Sequence, residues 1–436
     1  MENSIIKNKI EHLSKIIDNF IQQTNGKTIQ RFRKIETAHI IYCLVLKVFY
    51  QMSYQDATSL MVDRGFINNV SFQALNKKIL SGQYDEHIKN LNQTLLSQLF
   101  GLQNTNQIQT IAIDGSKIRL PISLDQKGFK RIGKQPYTTG LLSTLYNLDL
   151  HVPISYRLEK NLNERVVLQS QVQEIDQNNL CSRSIIVGDR GYYSAKLISS
   201  LSKCHKEFIF RLPKSLKLVK ELKKSGKDDI IVNMENNDVR LIHYQLKKIK
   251  PLWIKASKGS TKPYEIVNTN DYYLITSLTD YHTYPIEQII DMYHQRWDIE
   301  EYYKTIKSQF ENGTISSRTE EGILSEIMVH QMGMILLSFF NSLLPQYEQY
   351  KINQKVLLSR IVDSFLPKIL FGKQPITSTI IDPIESIITN LETVKHYIHV
   401  RPGRTYPREQ RFHSGKFPTT KILERFTLES SIQPKF

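Results

Sequence analysis

The chain has 436 residues, 40% of them hydrophobic, with Lys+Arg 58 against Asp+Glu 42 and a net charge of +16. That length predicts about two to four folding units with real cores, not one ordinary domain. The basic excess points to a polyanionic partner such as nucleic acid. The three cysteines, with no Cys-x-x-Cys spacing, exclude a zinc module and a disulfide framework and fit a reducing cytoplasm.

The start, MENSIIKNKI, reads as lacking a signal-peptide core. Residues 1–100 carry helical spacing, with Ile5, Ile6, Ile10, Leu13, Ile16 and Ile17 in the first helix and an apolar second helix over 35–52. A short helix over 54–63, a turn from Arg64-Gly65 to Val70, and a helix capped by Ser71 have the form of a helix-turn-helix. Two helices joined by a glycine turn in an all-α domain look the same.

Residues 107–113 open a β-rich region. Strands are predicted over 139–148 and 151–158 with a turn near Asp149, then a helix over 163–176, a fully apolar strand at 184–188, and a helix over 193–202. The order, three strands and then a crossover, predicts an α/β layer. Five strand-like runs between 207 and 278, punctuated by Gly226, Asn236-Asn237 and Gly259, predict a β insertion. Helices are expected at 285–310, 322–345, 354–366 and 384–397, with a basic irregular tail from His399. The apolar stretch 326–344 contains His330, Gln331 and Asn341, and reads as a buried core helix, not a membrane span.

Three carboxylates stand out in this frame. Asp114 ends the run Ile-Ala-Ile, Asp189 follows the apolar strand in Val-Gly-Asp-Arg-Gly-Tyr-Tyr, and Glu300 lies in the helical run Tyr-His-Gln-Arg-Trp-Asp-Ile-Glu. Each has a plainer reading. Asp114-Gly115 suits a hairpin turn, Asp189 can cap the next helix, and Arg296–Glu300 can be an ordinary i,i+4 pair. On one uninterrupted helix, Tyr293, Arg296, Glu300 and Lys307 fall at roughly 0°, −60°, −20° and −40°, a single stripe. Ile299, Ile306 and Phe310 supply an apolar flank beside it. A phenol, two cations and a carboxylate in one stripe suit phosphate chemistry. Two strands and a helix that bring the three carboxylates together can hold two Mg²⁺ ions for phosphodiester chemistry. Lys247, Lys248, Lys250, Trp253, Lys255, Lys258, Lys262 and Tyr264 interleave charge and aromatics in the insertion, as a DNA-facing surface or a solvated strand face would.

With these motifs the chain resembles bacterial insertion-sequence transposases of the DDE class, in the IS-four group marked by Tyr-x2-Arg-x3-Glu-x6-Lys. Tyr293, Arg296, Glu300 and Lys307 match that spacing without a gap; Asp114-Gly115-Ser116 and Asp189-Arg190-Gly191-Tyr192 match the two earlier blocks. The tail from Arg401 through Arg404 to Arg408 resembles the basic C-terminal motif, with Thr405 where serine is usual and Arg411 where lysine often follows. The likeness covers roughly residues 105–412 and is weakest before residue 100.

The resemblance implies an α/β fold with a ribonuclease H-like mixed sheet flanked by helices. A β-rich insertion would interrupt it, with an α-helical N-terminal domain before it and a helical, basic C-terminal region after it. The implied units are a DNA-binding region over 1–100, core over 101–205, insertion over 206–282, core again over 283–345, and C-terminal helices and tail over 346–436. It implies cut-and-paste transposition. Asp114, Asp189 and Glu300 would be catalytic metal ligands for two Mg²⁺, with Mn²⁺ as a substitute. Water frees a 3′-hydroxyl, which attacks the opposite strand to form a hairpin or attacks target DNA. Tyr293, Arg296, Lys307, Arg190, Arg401, Arg404 and Arg408 would contact DNA. Trp297 would stack on a displaced base, although a tryptophan more often packs in a core. The implied partners are double-stranded terminal repeats and target DNA, bound by a homodimer on paired ends in the bacterial cytoplasm, with no membrane. The alternatives are a non-catalytic DNA-binding derivative and another nuclease on the same core.

Overall fold

The computed structural model describes residues 2–26, 35–68, 70–101, 108–160, 163–177, 183–234, 237–255, 261–310, 317–343, 350–372 and 397–399. Five helices lead: α1 (Glu2–Gly26), α2 (Thr37–Tyr50), α3 (Tyr54–Asp63), α4 (Phe72–Leu80) and α5 (Asp85–Gly101). Strands β1 (Gln109–Pro121), β2 (Tyr137–Asn147) and β3 (Val152–Glu159) follow. Then come α6 (Glu164–Gln177), β4 (Ser184–Gly188), α7 (Ala195–Lys203), β5 (Glu207–Arg211) and α8 (Lys217–Ser225). Strands β6 (Asp229–Met234), β7 (Asn237–Lys255) and β8 (Thr261–Thr276) precede α9 (Ile286–Gln295), α10 (Trp297–Phe310) and α11 (Glu320–Leu343). The described chain closes with β9 (Tyr350–Ile352), α12 (Gln354–Arg360), a π turn, α13 (Leu366–Phe371) and β10 (Tyr397–His399).

The fold is mixed α/β around an eight-stranded sheet of order β3-β2-β1-β4-β5-β8-β7-β6. β1 is antiparallel to β2 and parallel to β4, and β4 is parallel to β5. β1 shows why both faces are covered. Ile111 and Ile113 join the core under α6 and α7, whereas Ala112, Ile118 and Leu120 join Ile299, Tyr302 and Ile306 of α10. That is the period-two alternation of a strand buried on two sides.

The N-terminal helices are continuous with this core. α2 is buried from Thr37 to Val48, and such a helix is apolar all round because it is packed all round. It lies against α11, where Lys47 and Glu326 form a buried ion pair at 3.4 Å. α11 is the one described helix long and apolar enough to cross a membrane, and 83% of that stretch is buried inside the protein. The helix pair α3–α4 forms as expected, with Ser71 accepting the Ala74 N–H at 3.3 Å and Gly65 in the left-handed region at φ 70°.

Three expectations change. Asp114-Gly115 is no hairpin turn, because β1 runs through it, pairing Asp114 with Thr144 and Gly115 with Ser143. The region after β5 is not all β: Lys217–Ser225 is a helix ended by Gly226 at φ 67°. β5 itself belongs to the parallel part of the sheet. The helix expected over 285–310 breaks at Arg296, whose N–H bonds only three residues back, to Tyr293. The predicted helix over 384–397 lies outside the described residues apart from Tyr397, which is in β10.

Candidate active site

β1 and β4 pair only from Gln109↔Ser184 to Ala112↔Val187. Beyond that point β1 keeps β2 as its partner while the chain leaves β4 at Gly188. The two strands part at their carboxyl ends, where open α/β sheets form crevices. Asp114 and Asp189 stand at the lips of that gap.

Each carboxylate is held by backbone. The Gly115 N–H donates to Asp114 Oδ1 at 2.9 Å, and the Gly191 N–H donates to Asp189 Oδ1 at 2.6 Å. Asp189 is not the cap of α7, since Ser194 does that by accepting the Leu197 N–H at 3.1 Å. Burial pushes the Asp114 carboxyl up to about 7; the Gly115 N–H and Arg296 oppose the push, and Glu164 and Asp189 add to it. Asp114 and Asp189 therefore feel each other.

α10 packs on the Asp114 strand and carries Glu300 to Arg296. Ile299 and Ile306 are buried on the sheet, and the Tyr303 hydroxyl lies 2.7 Å from the Asp114 backbone carbonyl. The Glu300 carboxylate faces Arg296, with Nη2 to Oε1 at 2.6 Å. Burial works against the Arg296 charge, yet the Glu300 bond and the nearby Tyr293 and Asp114 hold its pKa above the ordinary arginine range. Arg296 thus stands between Asp114 and Glu300 and answers to both. Among the described residues, no three His, Cys, Asp or Glu side chains stand close enough to share a metal ion as they are. The donors are hard carboxylate oxygens with excess negative charge, which suits Mg²⁺.

The other candidates divide. Tyr293 is 5% exposed and packs with Ile185, Ile209 and Leu274, so its ring is core; Arg296 and Arg211 oppose the burial that raises its pKa. Lys307 is half-buried and Arg190 exposed. Trp297 is not core: it is 53% exposed, its indole N–H donates to Glu301 at 3.2 Å, and Lys304 lies over its ring. The single stripe assumed an unbroken helix; the break at Arg296 puts Tyr293 on a different segment from Glu300 and Lys307. Arg401, Arg404 and Arg408 lie outside the described residues, as do the side chains of Trp253 and the insertion lysines from Lys247 to Lys262.

Two further features come into view with the structure. The first is Glu164, at the start of α6, whose charge reaches Asp114 and whose own pKa is raised by burial and by Asp189. The second is α8, which buries Val219 and Leu222 and exposes Lys217, Lys220, Lys223 and Lys224, with Lys214 and Lys227 beside it. The spacing Val219–Leu222 and the stop at Gly226 are legible signals of that helix.

The model of the transposase DDE domain family matches residues 105–336, more than half of the chain. A probable transposase for insertion sequence element IS5377 of Geobacillus stearothermophilus is 23% identical over 208 residues, covering 45% of this chain and 47% of that protein. Transposase InsG for insertion sequence element IS4 of Escherichia coli K12 is 25% identical over 155 residues, covering 35% of this chain and 32% of that protein. The aligned stretches thus span about half or less of these curated relatives. A piggyBac transposase synaptic complex with hairpin DNA, solved by cryo-EM, covers 88% of this chain and 85% of its own at 13% identity, with a TM-score of 0.46 that is too low to establish a shared fold. With the family model matched across the sheet and the helices that carry all three carboxylates, the chain belongs to the transposase DDE domain family of insertion-sequence elements.

Proposed function

We propose that this protein is a metal-dependent DNA transposase that cuts and rejoins the ends of its insertion sequence. What supports this reading is that Asp114 and Asp189 stand at the carboxyl ends of β1 and β4, where the two strands part, and that α10, which bears Glu300, is hydrogen-bonded to the Asp114 strand through Tyr303. The strand order β3-β2-β1-β4-β5, with three antiparallel strands and then two parallel ones, supports a ribonuclease H-like core.

Asp114, Asp189 and Glu300 are the residues that would hold two Mg²⁺, which supply an activated nucleophile and a stabilised leaving oxygen when bound. Arg296, half-buried and forked, is set to grip a phosphate once Glu300 turns away. Tyr303 locks α10 to the Asp114 strand, so Glu300 pivots from a fixed base. The α8 helix follows β5, the neighbour of β4, whose end leads into Asp189, and its lysines suit the backbone of an incoming duplex. Lys307, Arg190, exposed Trp297, the α3–α4 pair and the arginine tail complete the DNA-binding set. Excision at two ends needs two such centres, so a dimer on paired ends, in the bacterial cytoplasm, belongs to the same proposal.

The test is strand cleavage of end DNA in Mg²⁺. Wild type cuts, and Asp114→Asn, Asp189→Asn and Glu300→Gln do not. Salt-dependent binding without cutting in Mg²⁺ or Mn²⁺ would replace this with a non-catalytic DNA-binding role; nicking without strand transfer would point to a nuclease.

A further inference from the structure

β1 does not stop at the site. It runs past Asp114 to Pro121, about 23 Å of further strand at about 3.3 Å per residue. With β2 it builds an arm whose turn spans residues 122–136. The arm has a firm footing. Ile118, Leu120, Leu124 and Phe129 are buried in the cluster that holds Ile299 and Ile306 of α10. The Thr139 N–H donates to the Lys130 carbonyl at 2.9 Å, and the Ser123 hydroxyl donates to the Arg318 carbonyl at 3.2 Å. Gly133, at φ 65°, turns the tip, and Arg131 closes that turn from Nε onto the Gln135 carbonyl at 2.5 Å.

The charge carried on this footing is of one sign. Between Ser116 and Pro136 stand Lys117, Arg119, Lys127, Lys130, Arg131 and Lys134, against the single acid Asp125. All six cations are exposed. Among the described residues, Lys117, Lys127, Lys130, Arg131 and Lys134 make no ion pair. A solvated face that serves only solubility intersperses both signs. In the strand order the arm stands on one side of the β1–β4 gap, and β5, which α8 follows, stands on the other. A reaction that joins two duplexes needs a hold on each. Lysine and arginine contacts to phosphate hold a duplex without reading its sequence, which suits a target better than a terminal repeat.

We propose that the β1–β2 arm binds target DNA, gripping the phosphates of a second duplex while the element's end lies on the α8 side. It rests on the transposase reading above and adds the surface for the second substrate.

The experiment uses the full chain, end duplex already cut at its 3′ end, and supercoiled plasmid as target. Lys127→Ala, Lys130→Ala and Lys134→Ala are combined in one variant. Metal-free binding of the plasmid should weaken by about tenfold or more, with a salt slope flatter by up to about one unit per charge removed. Strand transfer into the plasmid should fall in step. Affinity for the cut end, cleavage of uncut ends and Tm should hold. Lys127→Arg, Lys130→Arg and Lys134→Arg together keep the charge and should bind and transfer as wild type does. Unchanged plasmid binding would overturn the proposal. So would an equal loss of affinity for the end duplex, which would put the element's end on the arm, or a loss confined to cleavage of uncut ends, which would put the flanking DNA there. Asp189→Asn tests the reading underneath: it should bind plasmid as wild type does and transfer nothing. Strand transfer by Asp189→Asn would remove the catalytic assignment, whereas the arm is judged on plasmid binding without metal.

Discussion

The Tyr303 hydroxyl lies 2.7 Å from the Asp114 backbone carbonyl and 3.0 Å from that of Leu142, sharing its one proton between two strands. Tyr303 is three residues past Glu300, so this hydrogen bond sets the height of the Glu300 helix over the Asp114 strand. Removing it leaves buried carbonyls short of a donor. Tyr303→Phe is expected to cost about 1–2 kcal/mol in chemical denaturation. Strand cleavage should fall while DNA affinity holds. Unchanged cleavage would mean that α10 is positioned by its apolar face alone.

Arg296 and Glu300 are partners at 2.6 Å, which makes the arginine both a brake and a tool. Arg296→Gln frees Glu300 for a cation while removing the phosphate fork. Calorimetry should show tighter Mg²⁺ binding, and gel assays should show cleavage reduced by about tenfold or more, equivalent to about 1.4 kcal/mol of barrier. Weaker Mg²⁺ binding in this variant would contradict the restraint of Glu300 by Arg296.

The Asp114 carboxyl, raised to about 7 by burial first and by its acidic neighbours after, predicts a pH trend. Its unfolded counterpart titrates near about 3.9. Between those values the folded protein binds more protons than the unfolded chain, so metal-free stability falls as pH rises through the window and levels off above it. Asp85, raised to about 6 by burial, acts in the same direction. Subtracting an Asp114→Asn series isolates the site: the variant should show a flatter profile by about 4 kcal/mol between acid and neutral pH. Parallel profiles would show that Asp114 titrates normally.

The lysines of α8 point outward, Lys217 being 91% exposed. Lys217→Glu, Lys220→Glu and Lys224→Glu together should lower affinity for end DNA and flatten its salt dependence by about one unit for each phosphate no longer neutralised. Stability should move by only about 0.5 kcal/mol or less per site, since these side chains cover no core. An unaltered salt slope would place the duplex elsewhere.

Much of this architecture can be read from local pattern. Ile185, Ile186 and Val187 form a run too apolar for anything but a strand covered on both faces, and they are one. Ser71 announces the start of α4 through its side-chain oxygen. Asp114-Gly115 is harder, because its turn chemistry competes with the strand around it; the alternation of buried Ile118 and Leu120 after it decides for the strand. The break at Arg296 has no glycine or proline to mark it and comes from the packing of α9 and α10 on different parts of the sheet. Trp297 is exposed because at about 100° per residue it lies on the side of the helix away from Ile299 and Ile306. Glu164 escapes pattern reading, since a glutamate at a helix start is commonplace; only its fit over Gly115 singles it out.

The most direct measurement is anomalous diffraction from Mn²⁺ in crystals of the protein bound to end DNA. The account predicts two peaks about 3.5–4 Å apart, with oxygens of Asp114, Asp189 and Glu300 at coordination distance and the Arg296–Glu300 bond broken. Peaks away from Asp114 and Asp189, or Glu300 still bonded to Arg296 with both ions in place, would contradict it.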